Sequence, residues 1–364
     1  MKDSRETMTS DVLHALQCLA AWSASAGEAE TREAALAVLA AVETLAARGP
    51  WEGEDRTSVH RLLDETGRSA FLRSLGDAAL RRRLAEADFR LIRGSRFALL
   101  DLFRARVRAH PRKVLFEDRS APIPMPWTYE QIDRMTREAA AAFLSLAESD
   151  GRPPRVAIFA ENSLSGACAD LACLFYDILD APLNTHFGAD DLVDVFDRLG
   201  VTIAVTDTSA RRRLLEDVRT RTAAPFLIVV LDAAVAGEAD EARFLDALCR
   251  TMGSAEADRL LASRRRMALN ETATVMFTSG STGRPKGVSF SNYQITAKRF
   301  ARAAALPDVG GNEVFLSFLP FYHTFGRYLE MLGAIYWSGT YVFPGNTSAE
   351  TLFALLPKVR PTGF

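Results

Sequence analysis

The stretch Thr274-Val-Met-Phe-Thr-Ser-Gly-Ser-Thr-Gly-Arg-Pro-Lys-Gly-Val288 decides how this chain folds. Thr274 to Phe277 reads as a short buried strand that runs straight into a turn. The turn gathers the hydroxyls of Thr278, Ser279, Ser281 and Thr282, three glycines and Lys286. Glycine lets backbone N–H groups face a ligand with no Cβ in the way. Successive N–H groups in such a turn make a concave anion site. Hydroxyls add donors and the lysine adds a mobile charge, so the set suits a polyphosphate. Arg284, beside Pro285, faces either the ligand or solvent. This is not a Walker A loop: counted from Gly280, Pro285 stands where the second glycine belongs, and Gly287 follows the lysine. Nor is it a GxGxxG turn.

Upstream the same texture repeats. Lys113–Glu117, Arg155–Ala160, Val201–Thr206 and Phe226–Leu231 read as strands, apolar throughout rather than alternating. Helical patterns lie between them: Phe97–Ala109, a long helix capped by Thr128 and running through Ala147, one from about Ser165 to Leu179, and one carrying Leu214 and Leu215. Strands alternating with helices give an α/β class with a mostly parallel sheet. Residues 232–268 read as a surface insertion with a helix around Phe244 to Met252. Residues 1–96 are helical throughout. Ser10 or Asp11 is expected to cap a first helix and Thr31 a second, which Gly49-Pro50 stops; further helices run from Ser58 to Glu65 and from Asp77 to Leu91.

Thr278–Val288 closely resembles the phosphate-loop signature of the adenylate-forming (AMP-binding) superfamily, which includes acyl-CoA synthetases, luciferases and peptide-synthetase adenylation domains. Other segments share the likeness. They are Trp127-Thr-Tyr-Glu-Gln-Ile132, Arg155-Val-Ala-Ile with Glu161-Asn162, Asp180-Ala-Pro-Leu-Asn184, Phe318-Leu-Pro-Phe-Tyr-His323 and Val359-Arg-Pro-Thr362. The last resembles long-chain fatty acyl-CoA synthetases in particular. The resemblance covers residues 97–364 and leaves 1–96 as an all-α extension.

The resemblance implies the large N-terminal domain of the adenylate-forming fold, with mostly parallel sheets sandwiched by helices. It implies ATP-dependent activation of a carboxylic acid, in particular a long-chain fatty acid, to acyl-adenylate and then acyl-CoA, with Mg²⁺ and coenzyme A. Thr278, Ser279, Gly280, Ser281, Thr282, Gly283 and Lys286 would contact the β- and γ-phosphates, and Thr278 would also ligate Mg²⁺. Tyr322, His323, Thr324 and Phe325 would border the acyl and thiol channel. His323 positions there rather than acting as a base, because a substrate carboxylate is already ionised at pH 7. Phe315, Phe318, Phe321, Tyr336 and Trp337 either line a lipid-sized pocket or fill the core.

Relative to that family the sequence ends early, at Phe364. The expected adenylation lysine would lie beyond it, in a C-terminal domain. The chain therefore reads as a truncated N-terminal portion, expected to form no acyl-adenylate alone. A fatty-acyl-AMP ligase serving a carrier protein and a catalytically inactive binding module are the competing readings. Net charge is −2, so there is no overall basic field for nucleic acid. The four cysteines form no CxxC pair and read as reduced thiols of a cytoplasmic protein. The N-terminus lacks the apolar run of a signal peptide. Residues 61–108 carry twelve arginines against six acids. That is either a solvated helical face or a contact with an anionic membrane surface or partner.

Overall fold

The computed structural model describes residues 2–231, 242–262, 269–278 and 284–363. They form two compact units. One combines Met1–Arg106, Tyr293–Glu313 and Ile335–Gly339; the other combines Val107–Asn292, Val314–Ala334 and Thr340–Phe364.

The first unit is helical. Its N-terminal part holds Lys2–Ala24, Glu28–Ala46, Gly53–Thr66, Ser69–Ser74 and Ala78–Ser95, and most of Leu99–Ala109. Asp77 caps as expected, accepting from Ala79 N at 2.7 Å. Two other caps differ from expectation. The first helix begins at Lys2, because helix formers precede Ser10 and Asp11 and carry the helix through them. The second is capped by Gly27, and Thr31 sits inside it with its hydroxyl donating to Gly27 O at 2.7 Å.

The centre of this unit comes from far along the chain. On the helix Asn292–Ala305, residues Ile295, Thr296, Ala297, Arg299, Phe300 and Ala303 are buried. The Phe300 ring meets Phe97 at 5.9 Å and Tyr336 at 5.4 Å, both edge-on. Arg81 Nε donates to Ala304 O at 3.0 Å, and the Arg93 guanidinium lies 4.5 Å over the Tyr293 ring. Tyr336 Oη donates to Gly67 O at 3.0 Å. Buried Arg106 pairs with Asp64 and donates from Nε to Tyr336 O at 2.7 Å. Burial opposes the Asp64 charge, yet Arg106 and Arg68 outweigh it and hold the carboxyl below its usual range. Part of the arginine-rich segment thus serves the unit itself, through Arg68, Arg81, Arg93 and Arg106. Arg61, Arg73, Arg82, Arg90, Arg96 and Arg108 face solvent.

The second unit is α/β and holds two sheets. The strands in chain order are β1 (Val114–Asp118), β2 (Met125–Thr128), β3 (Arg155–Phe159), β4 (Leu179–Pro182), β5 (Ile203–Thr206) and β6 (Leu227–Val230). They continue with β7 (Ala242–Phe244), β8 (Thr272–Thr278), β9 (Lys286–Ser291), β10 (Val314–Leu316) and β11 (Thr340–Phe343). The larger sheet runs β7-β6-β5-β3-β4-β8-β9 and is parallel except for the β8–β9 hairpin. The smaller runs β10-β11-β1-β2 and is parallel except at β2. Thr128 caps the helix Tyr129–Asp150 with a full capping box, which places the long helix where its sequence puts it. The helix expected to reach Leu179 stops at Phe175, and β4 follows. Its residues pair with β3 from Arg155↔Leu179 to Ile158↔Pro182. All four cysteines are free thiols. Among the described residues no helix is long and apolar enough to cross a membrane.

Because Phe300 joins three separate segments, Phe300→Ala should cost the chain about 3–5 kcal/mol of stability in urea unfolding. A loss below about 1 kcal/mol would show that this aromatic cluster does not hold the helical unit together.

Candidate functional site

Chain order and strand order disagree around β3. From β3 the chain steps to β4 on one side, then crosses back to β5 on the other. Such a switch opens a crevice at the carboxyl ends of the strands, the usual ligand position in open α/β sheets. A cleft of about 480 Å³ lies there. Glu161 and Asn162 follow β3, Thr185 and His186 follow β4, Phe318 and Pro320 follow β10, and Pro344 to Thr347 follow β11; Tyr322 completes the lining.

The walls are held by polar contacts. Arg211 donates from Nη2 to Glu161 Oε1 at 2.6 Å and from Nη1 to Asp207 Oδ1 at 2.7 Å. Asn162 spends its whole carboxamide on the turn after β10. Its Oδ1 accepts from Phe321 N at 2.9 Å, and its Nδ2 donates to Leu319 O at 2.7 Å and Ser317 Oγ at 3.0 Å. The Tyr341 hydroxyl lies 2.9 Å from Ser317 Oγ and 3.3 Å from Glu330 Oε2. Burial pushes the Glu330 carboxyl up to about 7, with the Tyr341 hydroxyl pulling the other way. Gly326 is required at its position, since a Cβ would overlap the carbonyl oxygens of Leu319 and Pro320.

At the neighbouring edge of the same sheet, β8 and β9 pair antiparallel with Thr278 opposite Lys286. Thr278 Oγ1 donates to Lys286 O at 3.4 Å. Arg198 braces the base of this turn, donating from Nη2 to Pro285 O at 2.6 Å. The side chains of Thr278, Arg284 and Lys286 are exposed. A hydroxyl and two cations therefore stand together at the end of one hairpin. Among the described residues no cluster of three His, Cys, Asp or Glu side chains is placed to hold a metal ion. Thr278 offers a lone hard oxygen, which fits Mg²⁺ only where phosphate and water supply the other ligands.

The AMP-binding enzyme family matches residues 103–364. The chain belongs to that family. It is 23% identical over 275 residues to long-chain-fatty-acid–CoA ligase 1 of Cavia porcellus, covering 72% of this chain and 39% of that one. It is 25% identical over 256 residues to long-chain-fatty-acid–CoA ligase 5 of Rattus norvegicus, covering 66% and 36%. The chain thus spans less than two-fifths of the length of these relatives. Among solved structures, the N-terminal domain of FACL13 from Mycobacterium tuberculosis superposes with a TM-score of 0.56 at 20% identity, covering 72% of this chain and 61% of that one. A benzoate CoA ligase from Burkholderia xenovorans LB400 gives 0.60 at 17% identity, covering 73% and 49%. The fold is that of the N-terminal domain of adenylate-forming enzymes.

Within this AMP-binding fold the sequence-nominated residues separate. Thr278 and Lys286 stand across from each other in the hairpin, while Ser279, Gly280, Ser281, Thr282 and Gly283 lie outside the described residues. Tyr322 lines the cleft; His323, Thr324 and Phe325 follow it on an exposed turn, with the His323 ring 4.8 Å from that of Tyr322. Of the five aromatic residues proposed for a lipid pocket, Phe318 lines the cleft. Phe321 packs on Tyr341 and Phe343, and Tyr336 and Trp337 belong to the helical unit. Asn162, Thr185, His186 and the Pro344–Thr347 segment were not singled out as site residues, and they come together only through the strand order.

Glu330 gives the site a pH signature. Its carboxyl is raised in the folded state, so between about pH 4.5 and 7 the unfolded chain releases the proton first. Stability therefore falls as pH rises through that window. Glu330→Gln should flatten the fall and be more stable than the parent at pH 8 by about 2–3 kcal/mol, measured by urea unfolding. Parallel profiles for the two proteins would contradict the assignment.

Proposed function

We propose that this chain carries the nucleotide-phosphate and carboxylate parts of an ATP-dependent acid–thiol ligase that acts on long-chain fatty acids and delivers them to coenzyme A. The observation behind this is the hairpin that sets Thr278 against Lys286 at the edge of the sheet whose strand ends also form the cleft. The names of the relatives, long-chain-fatty-acid–CoA ligases, support the acid and thiol classes.

In this reading Lys286 and Thr278 hold the β- and γ-phosphates together with Ser279 to Gly283, and the Thr278 hydroxyl would be the chain's ligand to Mg²⁺. The bound cation supplies charge neutralisation for the departing pyrophosphate. A carboxylate oxygen attacks the α-phosphorus, the bond to the β-phosphate oxygen breaks, and pyrophosphate leaves. The acid enters ionised and gives up no proton in this step. A thiolate sulfur then attacks the acyl carbonyl and AMP departs. Tyr322 and the turn His323-Thr324-Phe325 flank the acyl group, and their work is to orient it.

Binding of Mg·ATP to the full chain, followed by equilibrium dialysis, tests the reading. Lys286→Ala should weaken binding about tenfold, or 1.4 kcal/mol, as loss of a charge-assisted phosphate contact does. Lys358→Ala, at the end of the last helix, should leave it unchanged. No binding to the parent chain, or equal binding by both variants, would refute it.

A further inference from the structure

Arg327 has no exposed surface, and it is the largest of the fully buried side chains. Its guanidinium reaches three other segments, the helix that holds Asp170, β4 and β8. It grips Asp170, on the helix Leu164–Phe175, as a two-toothed fork: Nε to Oδ2 at 2.9 Å and Nη2 to Oδ1 at 2.6 Å. Nη2 also donates to Asp180 Oδ2 on β4 at 2.5 Å, and Nη1 donates to Thr274 Oγ1 on β8 at 2.7 Å. Thr274 and Asp180 are paired across the β4–β8 ladder.

The offsets along the chain are short. Thr274 lies four residues before Thr278 on a strand that is buried between them. Arg327 lies four residues after His323, and Arg327 N donates to His323 O at 3.2 Å. Asp180 lies five residues before Thr185 of the cleft, and the helix bearing Asp170 begins two residues after Asn162. Arg327 also stands in a π-helical segment, Phe325–Met331, the kind of widened turn that re-aims side chains at functional sites. A planar five-donor fork can satisfy three partners at fixed angles, which a lysine cannot.

We propose that Arg327 is a positioning residue that sets the Thr278 hairpin and the Tyr322–His323 turn at a fixed spacing, through Thr274, Asp180 and Asp170. This rests on the reading in which those two turns serve one reaction. The two-toothed grip makes Asp170 the close ion-pair partner of Arg327. Burial pushes the Asp180 carboxyl well above the usual range, toward the neutral acid, against the pull of Arg327, and Asp170 pushes it the same way. That direction lessens the net charge that a desolvated cluster of one cation and two acids would otherwise carry.

The test uses the full chain without ligand, so it is independent of nucleotide binding. With histidine ring carbons labelled, the five histidines give few enough signals to assign His323 by substitution. Asp180→Asn keeps an acceptor oxygen for Arg327 Nη2 in an uncharged group, and should leave the His323 signal and the melting temperature as in the parent. The double variant R327M/D170N removes the ion pair as a pair, and with it the cation that pulls the buried Asp180 carboxyl toward its charged form; it should stay folded by near-UV circular dichroism. It should nevertheless shift the His323 ring signal and speed amide exchange about tenfold at both Met276–Thr278 and Tyr322–His323. Arg327→Lys, which keeps the charge but loses the fork, should shift both sites in the same direction, and by less. A folded double variant with parent-like signals at either site would overturn the proposal. Global unfolding of the double variant would overturn it too, by making the cluster a determinant of folding alone. Failure of Mg·ATP binding in the parent would instead count against the nucleotide reading and leave these signals unaffected.

Discussion

A guanidinium with no exposed surface must find partners for its charge and its hydrogen bonds inside the protein, and Arg327 finds them on three different elements. Desolvating such an ion is costly, so removing one partner leaves a buried group uncompensated. Three elements of the second unit supply those partners. β4 carries an aspartate in the middle of a four-residue strand; β8 carries a threonine opposite it; and a helix between β3 and β4 supplies the second carboxylate. Each of these elements leads within a few residues to the cleft or to the β8–β9 hairpin.

The polar chain around Asn162 does for the cleft wall what Arg327 does beneath it. Asn162 uses its carboxamide on Ser317, Leu319 and Phe321, and Ser317 continues to Tyr341 and Glu330. With Gly326 set against the Leu319 and Pro320 carbonyls, the turn that carries Tyr322 and His323 has little freedom left. Preorganisation of this kind lowers the cost of orienting a substrate at the moment of reaction. In the helical unit the same economy appears with different parts: Arg106 and Asp64 form a buried pair, and Arg106 closes onto the Tyr336 carbonyl.

Local chemistry made the Thr128 cap and the apolar strands β3, β5, β6 and β8 readable from residue order alone. What escaped was set by distance. β4 is short, ends in Pro182 and holds an acidic residue, Asp180, so it looks like a loop until Arg327 is placed beside it. Lys2–Ala24 runs through two residues that usually start helices, because its formers lie on both sides of them. The burial of Phe300 and Tyr336 in the helical unit depends on segments more than two hundred residues away, Phe97 and Gly67, and no local pattern encodes it. The cleft is of the same kind: Glu161, His186, Phe318 and Asn346 have nothing in common in sequence except that each follows a parallel strand.

The proposed function puts nucleotide phosphate where β8 turns into β9. Covalent labelling of the full chain with an ATP analogue carrying a photoreactive group on its γ-phosphate, followed by peptide mapping, addresses it most directly. The label should fall between Thr272 and Ser291, with excess Mg·ATP suppressing it. Label that falls on the helices before Arg106, or that Mg·ATP does not displace, would contradict the account.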